Sequence, residues 1–387
     1  MAENQENIEF QEKLRRHRNR VRNRIIITAA AVLIALFAYI LYQNHRSYAG
    51  ASLDTTANFL TDEDEEIYNF RGNILRYDKD AAQLTNTRGE TLWTHSYDMQ
   101  QPILDVAEEV FAIADYQGFR VCVFDKEGLC GTFTTEIPIQ SVSVSDSGKV
   151  AVVMNDSSAS WIRLYSEEGK EIAYFVRTMS EHGYPVAVAV SPGGDLICLS
   201  SLMVEDSSVK TYISFYNFGS KGKDAVDHYV GGFDYPDEIF PVIHFIKNNV
   251  CIGISDSRLV YYEGSAAPKN GTNNLISEEI RGVYYSDQYI GLLFNDATGE
   301  SQYRLDLYDA EGNRKHSVGI SMDFTGLQIS GDYIYINNDS ELQIYTTGGR
   351  RIFDGSLGVS IRALIPSSRP RRLTVVTEST IEAVTLD

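Results

Sequence analysis

The chain has 387 residues, and its 34 Lys and Arg stand against 53 Asp and Glu, a formal charge of −19. With 43% hydrophobic and 22% charged residues it has the composition of an ordered globular protein, which excludes general disorder. The acidic balance argues against a protein that tracks phosphates, so nucleic acid is not an expected partner.

Charge is distributed unevenly along the chain. Residues 1–24 form a basic stub with seven bases, Lys13, Arg15, Arg16, Arg18, Arg20, Arg22 and Arg24, against four acids. Residues 25–42, IIITAAAVLIALFAYILY, carry no charge. Eighteen apolar residues reach the lower limit for a helix that crosses a bilayer at about 1.5 Å per residue. Tyr39 and Tyr42 fall at the far end, where amphipathic rings favour the interface. Bases on the N-terminal side set the topology: a cytoplasmic stub, one transmembrane helix in contact with lipid, and residues 43–387 outside the cytoplasm. A signal peptide cleaved at Ala49-Gly50-Ala51 is the alternative, although the apolar run is longer than a usual signal core of about 7–15 residues. Residues 43–66 read as a stalk ending in the acidic run Asp62–Glu66, which lacks the turn glycines and alternating ligands of a calcium loop.

Residues 67–387 read as a domain of many antiparallel strands. Short runs of Val, Ile, Tyr and Phe are broken by Gly, Asp, Asn and Ser, and no helical period persists. One unit, apolar–aromatic–(Asp/Ser/Asn)–x–x–Gly, appears as Val123–Gly128, Leu164–Gly169 and Leu307–Gly312. Looser copies end at 89, 220, 264 and 349. The mean spacing is about 43 residues, the period of a four-stranded propeller blade. The glycine supplies the positive φ that a tight hairpin needs. A second unit, strand–polar turn–strand, precedes the first by about 20 residues, as in Val142–Ala151, Val188–Ile197 and Ile329–Ile334. With strands named a to d from the inside out, the c strands are expected to end near 86, 125, 166, 217, 262, 309, 346 and 386. Eight ends imply an all-β, eight-bladed β-propeller, with seven blades the alternative. Glu65–Phe70 can supply a missing strand, either in the first blade or, closing the ring, in the last.

Ser191-Pro192-Gly193-Gly194-Asp195 resembles the first hairpin of WD40 propellers, and Gly89–Trp93 resembles the Gly-x-x-x-Trp turn of quinoprotein-like propellers. The layout of basic stub, single span and propeller also resembles an uncharacterised family of membrane-anchored bacterial propellers. That resemblance implies the architecture and no activity.

The turn between strands b and c carries an acid in every expected blade: Asp78, Asp115, Asp156, Asp206, Asp256, Asp296, Asp339 and Glu378. All such turns emerge on one face, so a ring of carboxylates is expected there. Asp and Asn favour tight turns because their side chains bond the backbone two residues on. The same ring also attracts basic partners or cations. Four cysteines, Cys122, Cys130, Cys198 and Cys251, have no zinc-site spacing and read as mostly buried thiols, with a Cys122–Cys130 bridge dependent on hairpin register. His244, between Ile243 and Phe245 on an a strand, is expected at or near the central channel, most simply as a packed side chain. Asn155, Asn270 and Asn338 match a glycosylation pattern that has meaning only in a host that glycosylates. No phosphate loop, dinucleotide fingerprint or Gly-x-Ser-x-Gly elbow is present. The adjacent Cys-Cys pair of quinoprotein enzymes is also missing. The expectation is a non-enzymatic interaction scaffold or accessory factor at the cell envelope, without a cofactor or metal, working with other envelope proteins. A sensor or glycan binder using the channel mouth is the alternative, and a hydrolase or lyase is the remaining one.

Overall fold

In the computed structural model, which describes residues 22–24, 26–36, 46–205, 208–367 and 369–387, the strand-forming runs pair into eight antiparallel sheets of four strands. The chain divides into two units, residues 1–48 and 49–387. In the first, residues 22–24 and 26–36 are helical and exposed, Arg22 and Arg24 among them. Among the described residues no helix is long and apolar enough to cross a membrane. Arg15, Arg16, Arg18 and Arg20, together with Ile25 and residues 37–42 of the expected span, lie outside the described residues.

The second unit is an eight-bladed β-propeller. The first seven blades are built in chain order, starting with β2 (Glu66–Phe70), β3 (Asn73–Tyr77), β4 (Ala81–Thr85) and β5 (Thr91–Ser96). The c strands end at 85, 125, 165, 217, 263, 309, 346 and 386, each within one residue of its expected end. The eighth blade is different. Its a, b and c strands are β30 (Ala363–Pro366), β31 (Arg372–Val376) and β32 (Thr380–Leu386), and its d strand is β1 (Ala51–Asn58) from the other end of the chain. This corrects one expectation and decides between two others. Residues 51–58, assigned to the stalk, are a propeller strand, so the propeller begins before residue 67. Of the two places open to Glu65–Phe70, the strand Glu66–Phe70 takes the first, the a position of blade one, and β1 is the closing strand. β1 pairs with β32 from Ala51↔Leu386 to Asn58↔Thr380, and the backbone N–H groups of Ala49 and Gly50 donate to the Asp387 carbonyl. The eighth blade thereby has its full four strands, with β1 covering the edge that β32 would otherwise expose.

The core lies between blades. Phe70, Leu84, Phe111 and Phe124 pack blade one against blade two, with Trp93 stacked on Phe124 at 5.2 Å between centroids. Tyr261 and Tyr262, adjacent on one strand, are both fully buried on opposite sheet faces, facing blades six and four respectively. The repeated glycine has two reasons to be there. Gly169 has φ +84°, and a Cβ added to it would fall 2.9 Å from Phe133 of the preceding blade. All four cysteines are free thiols. Cys122 pairs with Thr132 and Cys130 falls in the bulge between the Val123↔Gly131 and Phe124↔Leu129 pairs.

Candidate functional site

The strand order fixes two loop-bearing faces. The b–c turns and the d–a connections share one, and the a–b and c–d turns share the other. The b–c turns hold the expected ring of acids, and the structure separates them by what each carboxylate does. Asp78 Oδ1 accepts the N–H groups of Asp80 and Ala81 at 2.7 and 2.8 Å. Asp156 Oδ1 accepts those of Ser158 and Ala159 at 2.7 and 2.8 Å, and its Oδ2 accepts the Trp161 indole N–H at 2.9 Å. Asp296 accepts the N–H groups of Thr298 and Ser301, each at 3.0 Å. Hydrogen bonds to the ionised form hold Asp156 down to about 2, the Ser158 N–H foremost, and they lower Asp296 as well.

In other blades the same first position of the turn is neutral. Ser255, Asn338 and Thr377 accept the equivalent N–H groups through side-chain oxygens. Asp256, Asp339 and Glu378 therefore stand one place later. Their carboxylates are exposed and make no hydrogen bond to the described residues. Asp115 differs again. It is buried at the end of its b strand, and its Oδ1 accepts the Gln100 and Gln101 N–H groups at 2.8 and 2.9 Å, pinning the d–a connection of its own blade. Asp206 lies outside the described residues. The acids expected as one set thus occupy three kinds of position, and only one kind leaves the charge unused by the fold.

The d–a connections add to the acidic face. Counting the described residues of the b–c and d–a loops, twenty acids stand against three bases, Lys79, Arg281 and Arg362. On the other face, the a–b and c–d turns hold fourteen acids and ten bases. There Arg71 pairs with Glu109, and Lys149 meets Asp195 at 3.1 Å. On the acidic face Glu238 is paired by Arg258 and Glu278 meets Arg304 at 2.7 Å, but most carboxylates have no such neighbour. Ala49 and Gly50, where the chain enters the propeller, meet Asp387 on the mixed-charge face.

The channel is lined by the a strands. β2 of blade one brings Tyr68, β6 (Pro102–Val106) of blade two brings Asp105, β18 (Val242–Lys247) of blade five brings His244, and β22 (Gly282–Tyr285) of blade six brings Tyr285. Blades one and five face each other across the ring, as do two and six. These four side chains line a cavity of about 500 Å³. A second cavity, of about 650 Å³, shares Tyr68 and Tyr285 and adds Gln328 and Arg362. His244 stacks on Tyr285 at 4.1 Å and 24°. Burial pushes His244 down to about 4, so the ring is neutral at pH 7. Burial pushes Asp105 up to about 6 against the pull of the Val144 N–H, which donates to its Oδ2 at 2.6 Å, and of the Ser143 hydroxyl. Burial raises both Tyr68 and Tyr285, and the charge of Asp105 raises them further. Both residues stay partly exposed, at 44% and 47%, and both line the two cavities.

His244 thus sits where its strand position placed it. Asp105 carried no signal in the sequence, being one acid in an otherwise apolar strand. Among the described residues no group of three or more His, Cys, Asp and Glu is placed to hold a metal ion.

A closed ring of eight four-stranded blades, joined by its N-terminal strand, defines the class: a β-propeller with one strongly acidic face. The chain belongs to the family of unknown function DUF5711, whose model matches residues 44–386. None of the curated proteins compared with it matches. Among solved structures it is similar to Sqt1 from Saccharomyces cerevisiae, with TM-score 0.54, 11% identity, and 88% of this chain and 99% of that one covered. It is similar also to apo AztD from Citrobacter koseri, with TM-score 0.52, 10% identity, and 79% and 90% covered. BamB from Moraxella catarrhalis aligns at TM-score 0.49 and 12% identity, over 87% and 98%. At such identities the likeness is one of fold.

Proposed function

We propose that this protein is a single-pass membrane protein whose propeller lies outside the cytoplasm and docks a protein partner, one with a basic surface, on its b–c face. The charge asymmetry between the two faces carries this reading. Both faces are made of the same kind of tight turn, yet only one concentrates unpaired carboxylates, and a one-signed face steers and orients an oppositely charged partner. The basic stub followed by an uncharged 18-residue run supports the anchor and its orientation.

The test is site-directed photocrosslinking in cells, with the crosslinker placed at Asp256 or Asp339 on one face and at Glu108 or Asp332 on the other, followed by mass spectrometry. A discrete membrane-protein partner captured only from the b–c positions is the expected result. Equal capture from both faces, or none from the b–c face, overturns the assignment of the working face. Protease added to spheroplasts tests the topology separately: the propeller is digested and a tag at Met1 is spared. Protection of the propeller overturns the extracytoplasmic assignment.

A further inference from the structure

The channel mouth on the a–b face has a composition that the docking face does not explain. The 500 Å³ cavity is of the size that encloses small molecules. Its lining contains four carboxylates, Asp105 deep in the wall and Glu108, Asp146 and Asp287 at the rim, and no Lys or Arg. The only other group able to carry positive charge there is His244, which its surroundings keep neutral.

Asp105 is held in place. The Val144 N–H and the Ser143 hydroxyl donate to it, and Ser143 Oγ in turn accepts the Val190 N–H of the next blade at 3.2 Å. With the Val106 N–H, which also holds the ionised form, the donors number three, and an ionised carboxylate with about four lone-pair sites still has one to offer into the cavity. An enclosed carboxylate without a counter-charge is unfavourable, and the ligand that relieves it is a cation. The partly exposed Tyr68 and Tyr285 flank the same space, and aromatic faces attract organic cations. A hard metal ion demands a set of several oxygen ligands, and no such cluster is formed among the described residues.

We propose that the a–b mouth of the channel binds a small organic ammonium ion, held by the Asp105 carboxylate and the faces of Tyr68 and Tyr285. The neutral His244 ring stacks behind Tyr285 and fixes its orientation across the channel. This site is independent of the acidic docking face, and each can fail without the other.

The test is calorimetric titration of the full chain at pH 7.5 with choline and with putrescine, and with 3,3-dimethylbutan-1-ol as the uncharged shape match of choline. The expected result is saturable binding of at least one of the two cations, with the neutral alcohol at least about tenfold weaker. Asp105→Asn keeps the shape and the acceptor for the Val144 N–H, and it is expected to weaken cation binding at least about tenfold. Tyr68→Leu alters an exposed ring and is expected to weaken binding several-fold, which serves as a second measure should Asp105→Asn fold poorly. The triple variant Asp256→Asn, Asp339→Asn, Glu378→Gln is expected to bind as the parent does. Absence of saturable binding for both cations, equal binding of the alcohol, or unchanged binding in both Asp105→Asn and Tyr68→Leu overturns the proposal. Loss of cation binding in the triple variant overturns it too, because the cation then belongs to the acidic face.

Discussion

The two faces of the ring are made by the same 32 strands and close their turns with the same chemistry, yet one is nearly charge-balanced and the other is not. On the mixed-charge face, Ser145 and Ser191 hold the a–b turns by accepting the N–H groups of Lys149 and Leu196, each at 3.0 Å. On the acidic face, Ser255, Asn338 and Thr377 show that neutral side chains hold a b–c turn as well as Asp78, Asp156 and Asp296 do. Turn geometry therefore requires an acceptor, not a charge. The surplus of carboxylate at the second turn position and along the d–a connections is left over once the fold is satisfied.

The largest expected effect lies in the channel that joins the faces, where two groups respond to pH in opposite directions. Asp105 is raised in the folded state to about 6, so its ionisation opposes folding as pH rises from about 4 to 6. Asp105→Asn should then be more stable than the parent at pH 7 by up to about 3 kcal/mol, a gain that vanishes by pH 4. His244 is lowered to about 4, so the parent loses stability as pH falls from 6.5 towards 4. His244→Phe should match the parent at pH 7 and exceed it by up to about 3 kcal/mol near pH 4. In the parent the two nearly cancel. Urea unfolding of the three proteins between pH 4 and 8 checks this, and parallel pH curves for all three would refute it.

On the acidic face the next largest effect belongs to Asp115. Replacement by alanine leaves the Gln100 and Gln101 N–H groups without their acceptor and should destabilise by about 2–3 kcal/mol, read as a shift of the denaturation midpoint. Asp156→Ala should lower the melting temperature by a few degrees, whereas Asp156→Asn, which keeps the acceptor as Asn338 does, should leave it nearly unchanged. The smallest effect on stability, within about a degree, is expected for Asp256→Asn, Asp339→Asn and Glu378→Gln together. The same triple variant should reduce capture of the basic partner and the salt dependence of that binding. A large fall in its melting temperature would erase the distinction between turn-holding and free acids.

Much of the fold was legible in the sequence because a repeat multiplies weak signals. Each apolar–aromatic–polar–Gly unit is ambiguous alone, but seven at a common spacing fixed the blade period and the c strands. β1 escaped because it is an outer strand: ASLDTTAN has little apolar alternation, and five of its eight residues are exposed. The run of carboxylates at the b–c turns was visible, while its division into turn-holding and free acids was not. Positions one residue apart look alike until the hydrogen bonds are known. The channel site was hidden for a different reason: Tyr68, Asp105, His244 and Tyr285 come from four blades spread over 217 positions, and no local pattern marks residues that meet only when a ring closes.

The closing strand also sets a timetable. Ser52 and Thr385, bonded across the seam, are 333 residues apart. Seven blades form from contiguous stretches and can assemble as the chain is made, but the eighth needs the earliest strand and the latest one together. At a synthesis rate of about 5–20 residues per second, β1 waits on the order of tens of seconds for its partner. Throughout that interval the growing stack carries an unpacked apolar sheet face at each end, and β1 stays unpaired, available to any other strand that arrives. A chain stopped a few residues short of Leu386 lacks the end of β32, so nearly complete molecules are the ones most exposed to mispairing.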